Sequence, residues 1–342
     1  MRILGLRRGK EPIPSIGGVQ AIELAQSADG KLAARSLAIA QILGRLSSYA
    51  DAFRDADAIV ARNLEMLVIG ARAKQQFAPS ARLIYECLDI HTLMIDTGYK
   101  GRLLRSIEDK CLRHVDALIV SSPAFIQHYF KPRDFRGDVH IVENKIFPPP
   151  ATSIVLRPPT SPPWRIGWFG LLRCATSLSI LSSLAEQSDG TIEVVIRGRP
   201  SNAVFPDFAK AVRDLPGINY LGPYQPHELP NIYGEVHFSW AIDFYEKGFN
   251  SSWLLPNRIY EGGAHGVVPI ALENVQTGRW LRERHVGVRL EDDPLAGLTR
   301  FFQTLTLDRF DELKRGLQAL PRSTFVADEL ECRAIVEAMC SN

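Results

Sequence analysis

Residues Asn250–Ala271, NSSWLLPNRIYEGGAHGVVPIA, are the most informative stretch of this 342-residue chain. Pro256 suits the first turn of a helix, where a missing N–H costs nothing. Arg258 and Glu261 then stand three apart on one helical face. Gly262 and Gly263 permit close backbone approach, and Gly266 can end the helix before the strand Val267–Ala271. A helix N-terminus offers free N–H groups and the positive end of a dipole, which suits phosphate. A carboxylate one turn further in can accept hydrogen bonds from two ribose hydroxyls. Cation and carboxylate so placed can hold a nucleotide diphosphate and its ribose.

The same β–α alternation runs outward in both directions. Strands are predicted at Arg2–Leu6, Ala58–Ala61, Leu83–Cys87, Ala117–Val120 and Val139–Val142, with helices at Leu32–Tyr49, Glu65–Gln76, Gly101–His114 and Pro123–Phe130. Further strands are predicted at Arg165–Phe169, Glu193–Arg197, Asn219–Leu221, Val236–Trp240, Val268–Ala271 and Val286–Arg289. Helices near Ser177–Gln187, Phe205–Leu215, Pro256–Ala264 and Leu295–Thr304 lie between them. The proline-rich run Phe147–Pro163, FPPPATSIVLRPPTSPP, admits neither helix nor central strand. The expectation is a first domain over 1–147, a linker over 148–163 and a second domain over 164–342, whose last helix returns to the first. Alternation of this kind implies α/β domains with doubly wound parallel sheets. Two of them imply a cleft, with ligands at the carboxyl ends of the strands.

Composition narrows the function. Hydrophobic residues are 46% and charged residues 23%, as in an ordinary globular protein. A net charge of +2 makes no case for a nucleic-acid binder. Residues 1–150 hold 21 Lys/Arg against 16 Asp/Glu, a balance of +5, and the remainder carries −3. A basic first half favours an anionic membrane surface or an anionic acceptor. The apolar runs fall short of the roughly 18 residues that span a bilayer, and the N-terminus lacks the pattern of a signal peptide. The five cysteines are scattered, with no CxxC pair, and read as reduced core thiols. Cytoplasmic placement is expected, with peripheral contact at the inner face of the membrane.

Pro256-Asn257-Arg258-Ile259-Tyr260-Glu261 followed by Gly266-Val267-Val268-Pro269-Ile270 resembles the donor-site motif of GT-B fold glycosyltransferases. It is similar above all to the retaining family-four group and to bacterial exopolysaccharide (succinoglycan-type) enzymes. The resemblance implies two Rossmann-like domains facing a cleft and transfer of a hexose from a nucleotide diphosphate sugar. The acceptor would be a glycan or a lipid-linked oligosaccharide. Glu261 would bind the ribose, with Arg258 near the phosphates and Asn257 beside it. After the linker, the strand leading to Gly170 and then Arg173 matches the family's glycine-rich phosphate turn. The lysine that follows in the family is replaced by Ala175-Thr176-Ser177. Arg197 ends the next strand, Asp243 closes the strand Val236–Ile242 at the cleft, and Leu221–Tyr224 and Glu228–Tyr233 flank the nucleobase. Where the family places a sugar-contacting glutamate, eight residues before Glu261, this chain has Trp253, with Asn250 and Ser251 as polar substitutes. The donor half carries no DxD motif of the kind that holds a nucleotide through a metal, so the donor is expected to bind without a metal ion or other cofactor.

On the first half, Asp89 and His91 follow the strand Leu83–Cys87 and are the catalytic candidates: in an inverting enzyme a carboxylate or an imidazole can take the proton of the acceptor hydroxyl, and in a retaining one the two would supply hydrogen bonds for a front-face reaction. Arg62 and Asn63, ending the strand Ala58–Ala61, are acceptor-side candidates, and Glu143-Asn144-Lys145 is a further one. Met1–Leu6 resembles the second strand of the family's first domain, so an opening βα unit is expected to be missing. A nucleotide-sugar epimerase and a non-catalytic subunit of the same fold are the competing readings.

Overall fold

The computed structural model describes residues 1–8, 15–27, 32–149 and 162–340. Of the proline-rich run, residues 150–161 lie outside the described residues. The chain divides into two compact units, one of Met1–Ser121, Ile126–Val142 and Arg333–Asn342, the other of Ser122–Phe125 and Glu143–Cys332.

In the first unit the β-branched runs form β1 (Ile3–Arg8), β2 (Ala21–Ser27), β3 (Ala58–Arg62), β4 (Arg82–Cys87), β5 (Ala117–Val120) and β6 (Asp138–Ile141). The last four make a parallel sheet in the order β3-β4-β5-β6, while β1 and β2 pair in parallel as a separate sheet. Leu83, Ile84, Ala117, Leu118 and Val120 are wholly buried, as expected of parallel strands covered on both faces. Gly70, on the helix Asn63–Phe77, lets that helix settle onto the sheet. A Cβ there would stand 3.3 Å from both Ala61 and Leu83. The closing helix Glu329–Cys340 reaches the far side of the sheet, where the Ala338 carbonyl accepts from Arg82 at 3.2 Å and Met339 packs on Ile84, Ala117 and Ile119.

Three local expectations are corrected. The predicted helix Leu32–Tyr49 ends at Gly44, and Leu46–Ala52 continues as a 3-10 turn. Pro123–Phe130 opens as a helix only to Phe125, then widens into a π turn over Ile126–Phe130 that carries Tyr129 and Phe130 inward. β2 escapes the sequence pattern, because AIELAQS interleaves polar Glu23 and Gln26 and fully buries only Leu24 among its described side chains.

The second unit contains β7 (Trp164–Leu172), β8 (Ile192–Pro200), β9 (Ile218–Tyr220), β10 (Phe238–Trp240), β11 (Val268–Leu272) and β12 (Val288–Leu290). They form one all-parallel sheet in the order β12-β11-β10-β7-β8-β9. This is the doubly wound order, and the direction of winding reverses between β7 and β10. Such a switch point leaves a crevice at the strand ends, because the connections leave β7 and β10 on opposite sides. Trp168, Phe169, Phe238 and Trp240 fill the core beneath it, each at most 1% exposed. Residues before the proline-rich run already belong here, for Ile146 forms a parallel bridge with Val326.

Candidate active site

The crevice of the second unit is built from facing glycines. Gly170 and Gly198 are register partners on β7 and β8, with φ of +106° and +146°. A Cβ on Gly198 would overlap the Gly170 carbonyl oxygen, so only glycine fits. Past Gly170, β7 delivers Arg173 immediately before the helix Ala175–Glu186, whose N-cap is Cys174. Across the switch point, the loop after β10 delivers Asp243, which accepts from Arg173 Nε at 3.2 Å and Nη2 at 3.1 Å.

The helix Asn257–Ala264 starts one residue later than predicted, with Pro256 as its N-cap. Arg258 donates to the carbonyl of Trp240 at 3.0 Å, tying the helix to the end of β10. Glu261 accepts from the Tyr233 hydroxyl at 2.9 Å. Burial raises the Glu261 carboxyl above its ordinary value, against the opposing pull of the Tyr233 hydroxyl and Arg258. Burial and the nearby Glu261 charge push the Tyr224 phenol up to about 12, so it is a neutral donor. Arg197 reaches the same loop, donating to Glu228 at 3.1 Å and to the Pro223 carbonyl at 3.4 Å.

The two glycines after Glu261 prove to be packing residues. A Cβ on Gly262 would stand 3.2 Å from Ser239, and one on Gly263 would run into the ring of Phe325. Asn250 is 3% exposed, and Ser251 accepts from the Glu246 N–H at 3.0 Å, bracing its own loop. Asn257 is exposed at the start of its helix. Two members of Glu143-Asn144-Lys145 are structural: Lys145 pairs with Glu331 at 2.7 Å, and Asn144 donates to the Leu255 carbonyl at 3.3 Å.

In the first unit, Asn63, Asp89 and His91 line a cavity of about 360 Å³ together with Glu65, Tyr85 and Glu108. Asn63 sits at the end of β3 with a left-handed φ of +65°, a strained conformation of the kind that gathers at functional sites. Arg62 is not brought in: it is spent on a two-point pair with Glu86, at 2.6 and 3.0 Å. His91 Nδ1 accepts from the Leu93 N–H at 3.2 Å. The neutral ring then carries its proton on Nε2 and offers a donor there. That leaves Asp89 as the candidate base of the pair.

Beneath the cavity lies a network that no sequence motif announces. Glu108 is 1% exposed and accepts from Tyr85 at 2.8 Å, from Tyr129 at 2.6 Å and from Arg133. The Arg133 guanidinium also stacks over the Tyr129 ring at 4.6 Å. Burial drives the Tyr85, Tyr129 and Cys87 acids upward, so all three stay protonated at neutral pH. Among the described residues no three His, Cys, Asp or Glu side chains are grouped as for a metal ion.

No protein-family model matches the chain. It is 41% identical to the succinoglycan biosynthesis protein ExoL of Rhizobium meliloti (strain 1021) over 347 residues, covering 99% of this chain and 86% of that protein. The chain belongs to the family of the succinoglycan biosynthesis protein ExoL.

Solved structures place the ExoL-family fold as GT-B. Anabaena Alr3699/HepE in complex with UDP-glucose superposes with a TM-score of 0.68 at 15% identity, over 95% of this chain and 87% of that one. Sucrose-phosphate synthase (tll1590) from Thermosynechococcus elongatus gives 0.70 at 13% identity, over 99% and 89%. The lipopolysaccharide outer core galactosyltransferase WaaB, in its apo form, gives 0.63 at 14%, over 95% and 85%. In this ExoL-family chain Trp253, eight residues before Glu261, stands edge-on to Phe249 at 6.3 Å.

Proposed function

We propose that this ExoL-family protein transfers a hexose from UDP-hexose to a glycan or lipid-linked oligosaccharide in exopolysaccharide synthesis. The observation that carries the donor half is the convergence of Gly170, Gly198, Arg173, Arg258 and Glu261 at the switch point of one parallel sheet. Ribose hydroxyls donate to Glu261, and the diphosphate lies over the glycines, where Arg173 and the first turn of the helix Ala175–Glu186 meet it. Arg258 adds positive charge beside them, Asn257 offers its amide, and Arg197 borders the nucleobase loop. Asn250 and Ser251 shape the sugar end of the site. Anabaena HepE was solved with UDP-glucose, which is the ground for naming uridine. Cations and helix N–H groups do the work of a metal ion at this donor.

The acceptor enters the cavity of the first unit beside Asn63. Asp89 takes the acceptor hydroxyl proton while the Nε2–H of His91 donates to an oxygen of the reacting pair. No helix among the described residues is long and apolar enough to cross a membrane. Contact with an anionic inner leaflet is proposed through the helix Tyr99–Leu112, which exposes Tyr99 (70%) and Leu103 (59%) beside Lys100, Arg102 and Lys110. An apolar edge flanked by cations suits a headgroup surface. The test is hydrolysis of UDP-hexose by purified protein, slow in water and accelerated by an acceptor. Loss of both rates on Asp89→Asn would fit an Asp89 base only if UDP affinity stays unchanged. Unaltered rates would remove Asp89 from the reaction.

A further inference from the structure

The ion pair between Arg173 and Asp243 bridges the two strand ends at which the sheet reverses its winding. Asp243 is fully engaged at that point. Its Oδ2 takes both Nε and Nη2 of Arg173, and its Oδ1 accepts from the Tyr245 backbone N–H at 2.8 Å. The Tyr245 ring then lies against the guanidinium, with Arg173 Cζ 5.0 Å from its centroid. The Asp243 side chain is only 11% exposed and Arg173 27%. One edge and one face of the guanidinium are therefore occupied. Nη1 has no hydrogen-bond partner among the described residues and remains for an incoming anion.

We infer that Asp243 and Tyr245 are positioning residues for the donor phosphates: they hold Arg173 in a fixed orientation at the switch point, and of these three side chains Arg173 alone touches the diphosphate. The inference rests on the donor reading above and deepens it. The physical need is plain. The chain has Ala175-Thr176-Ser177 after Arg173, without a second cation, and a long arginine side chain left free loses rotamer entropy on binding. Pairing through one carboxylate oxygen, with an aromatic ring beneath, removes that loss before the donor arrives. Asp243 so used does not contact the donor, and its charge lowers the net attraction of the site in exchange for orientation.

The test is calorimetry of the full chain with two probes, UDP and uridine. Arg173→Ala sets the scale of the phosphate contribution. Tyr245→Leu is expected to weaken UDP about 5-fold and Asp243→Asn about 10-fold, both leaving uridine affinity unchanged. Tyr245→Phe keeps the ring and is expected to match the wild type. Equal losses for UDP and uridine would mean a merely structural role and overturn the inference. Tighter UDP binding by Asp243→Asn would also overturn it, since Asp243 would then be competing with phosphate. A wild type that binds neither probe would overturn the donor reading itself, a result distinct from both.

Discussion

In the second unit one sheet of six strands runs without a break, and the pair Arg173 and Asp243 sits just past the ends of the two strands where the winding reverses. In the first unit four strands form one sheet and two another. There the charge is sunk under a cavity, in a carboxylate saturated by two phenols and an arginine. The contrast separates two uses of ionic groups. Arg173, Arg258 and Glu261 each keep capacity for a ligand, whereas Glu108 and Arg133 spend theirs on each other and on the floor of the cavity. Substitutions in the first set should change binding before stability, and those in the second stability before binding.

The largest effect is expected from Arg133→Leu, which strands the Glu108 carboxylate in the interior. Breaking a buried pair from one side costs about 3–5 kcal/mol, read as earlier thermal unfolding of the first unit. Adding Glu108→Gln should recover part of it, and UDP affinity should not move. Gly263→Ala comes next. Its methyl would collide with Phe325, at a cost of about 2 kcal/mol that Phe325→Leu relieves; no loss would mean that the helix Asn257–Ala264 shifts freely.

Glu261→Gln sharpens the comparison from the other side, with unfolding nearly unchanged and UDP affinity reduced about 10-fold. A pH series adds a sign. Glu261 must be ionised to accept two ribose hydroxyls, and burial raises its pKa above the ordinary 4.5. Affinity should therefore fall on acidification, over a range that lies above 4.5, and Glu261→Gln should flatten that limb. The same shift runs against stability: the raised carboxyl favours the folded state at low pH, and this contribution is lost as pH rises through the folded value. The smallest effect is expected on the helix Tyr99–Leu112, where the pair Tyr99→Ser and Leu103→Ser should reduce flotation with anionic vesicles a few-fold and leave UDP binding intact.

The second unit is legible in sequence because its signals are local. Pro256, Arg258, Glu261 and Gly266 mark one short helix, and Gly170 announces the turn before Arg173. The helices Gln276–Glu283 and Leu307–Gln318 fall outside the predicted elements, although Trp280, Leu281, Phe310 and Leu317 each turn to a buried face. The floor of the first cavity is not legible. Tyr85, Glu108 and the pair Tyr129 and Arg133 come from three separated segments, and nothing in their spacing announces a shared site. Tyr245 escapes sequence reasoning for a related reason, since its role runs through the contact of Asp243 with Arg173, 70 residues away along the chain. Gly262 and Gly263 read as sites of close approach without saying what approaches, because a glycine requirement looks the same in sequence whichever neighbour imposes it; the neighbours are Ser239 and Phe325.

Hydrogen exchange of the full chain with and without saturating UDP tests the central claim most directly. The account predicts protection confined to the second unit, at the amides of 170–177, 197–199, 222–225 and 257–262. Protection centred on 87–94 of the first unit, or none at a UDP concentration that binds, would contradict it.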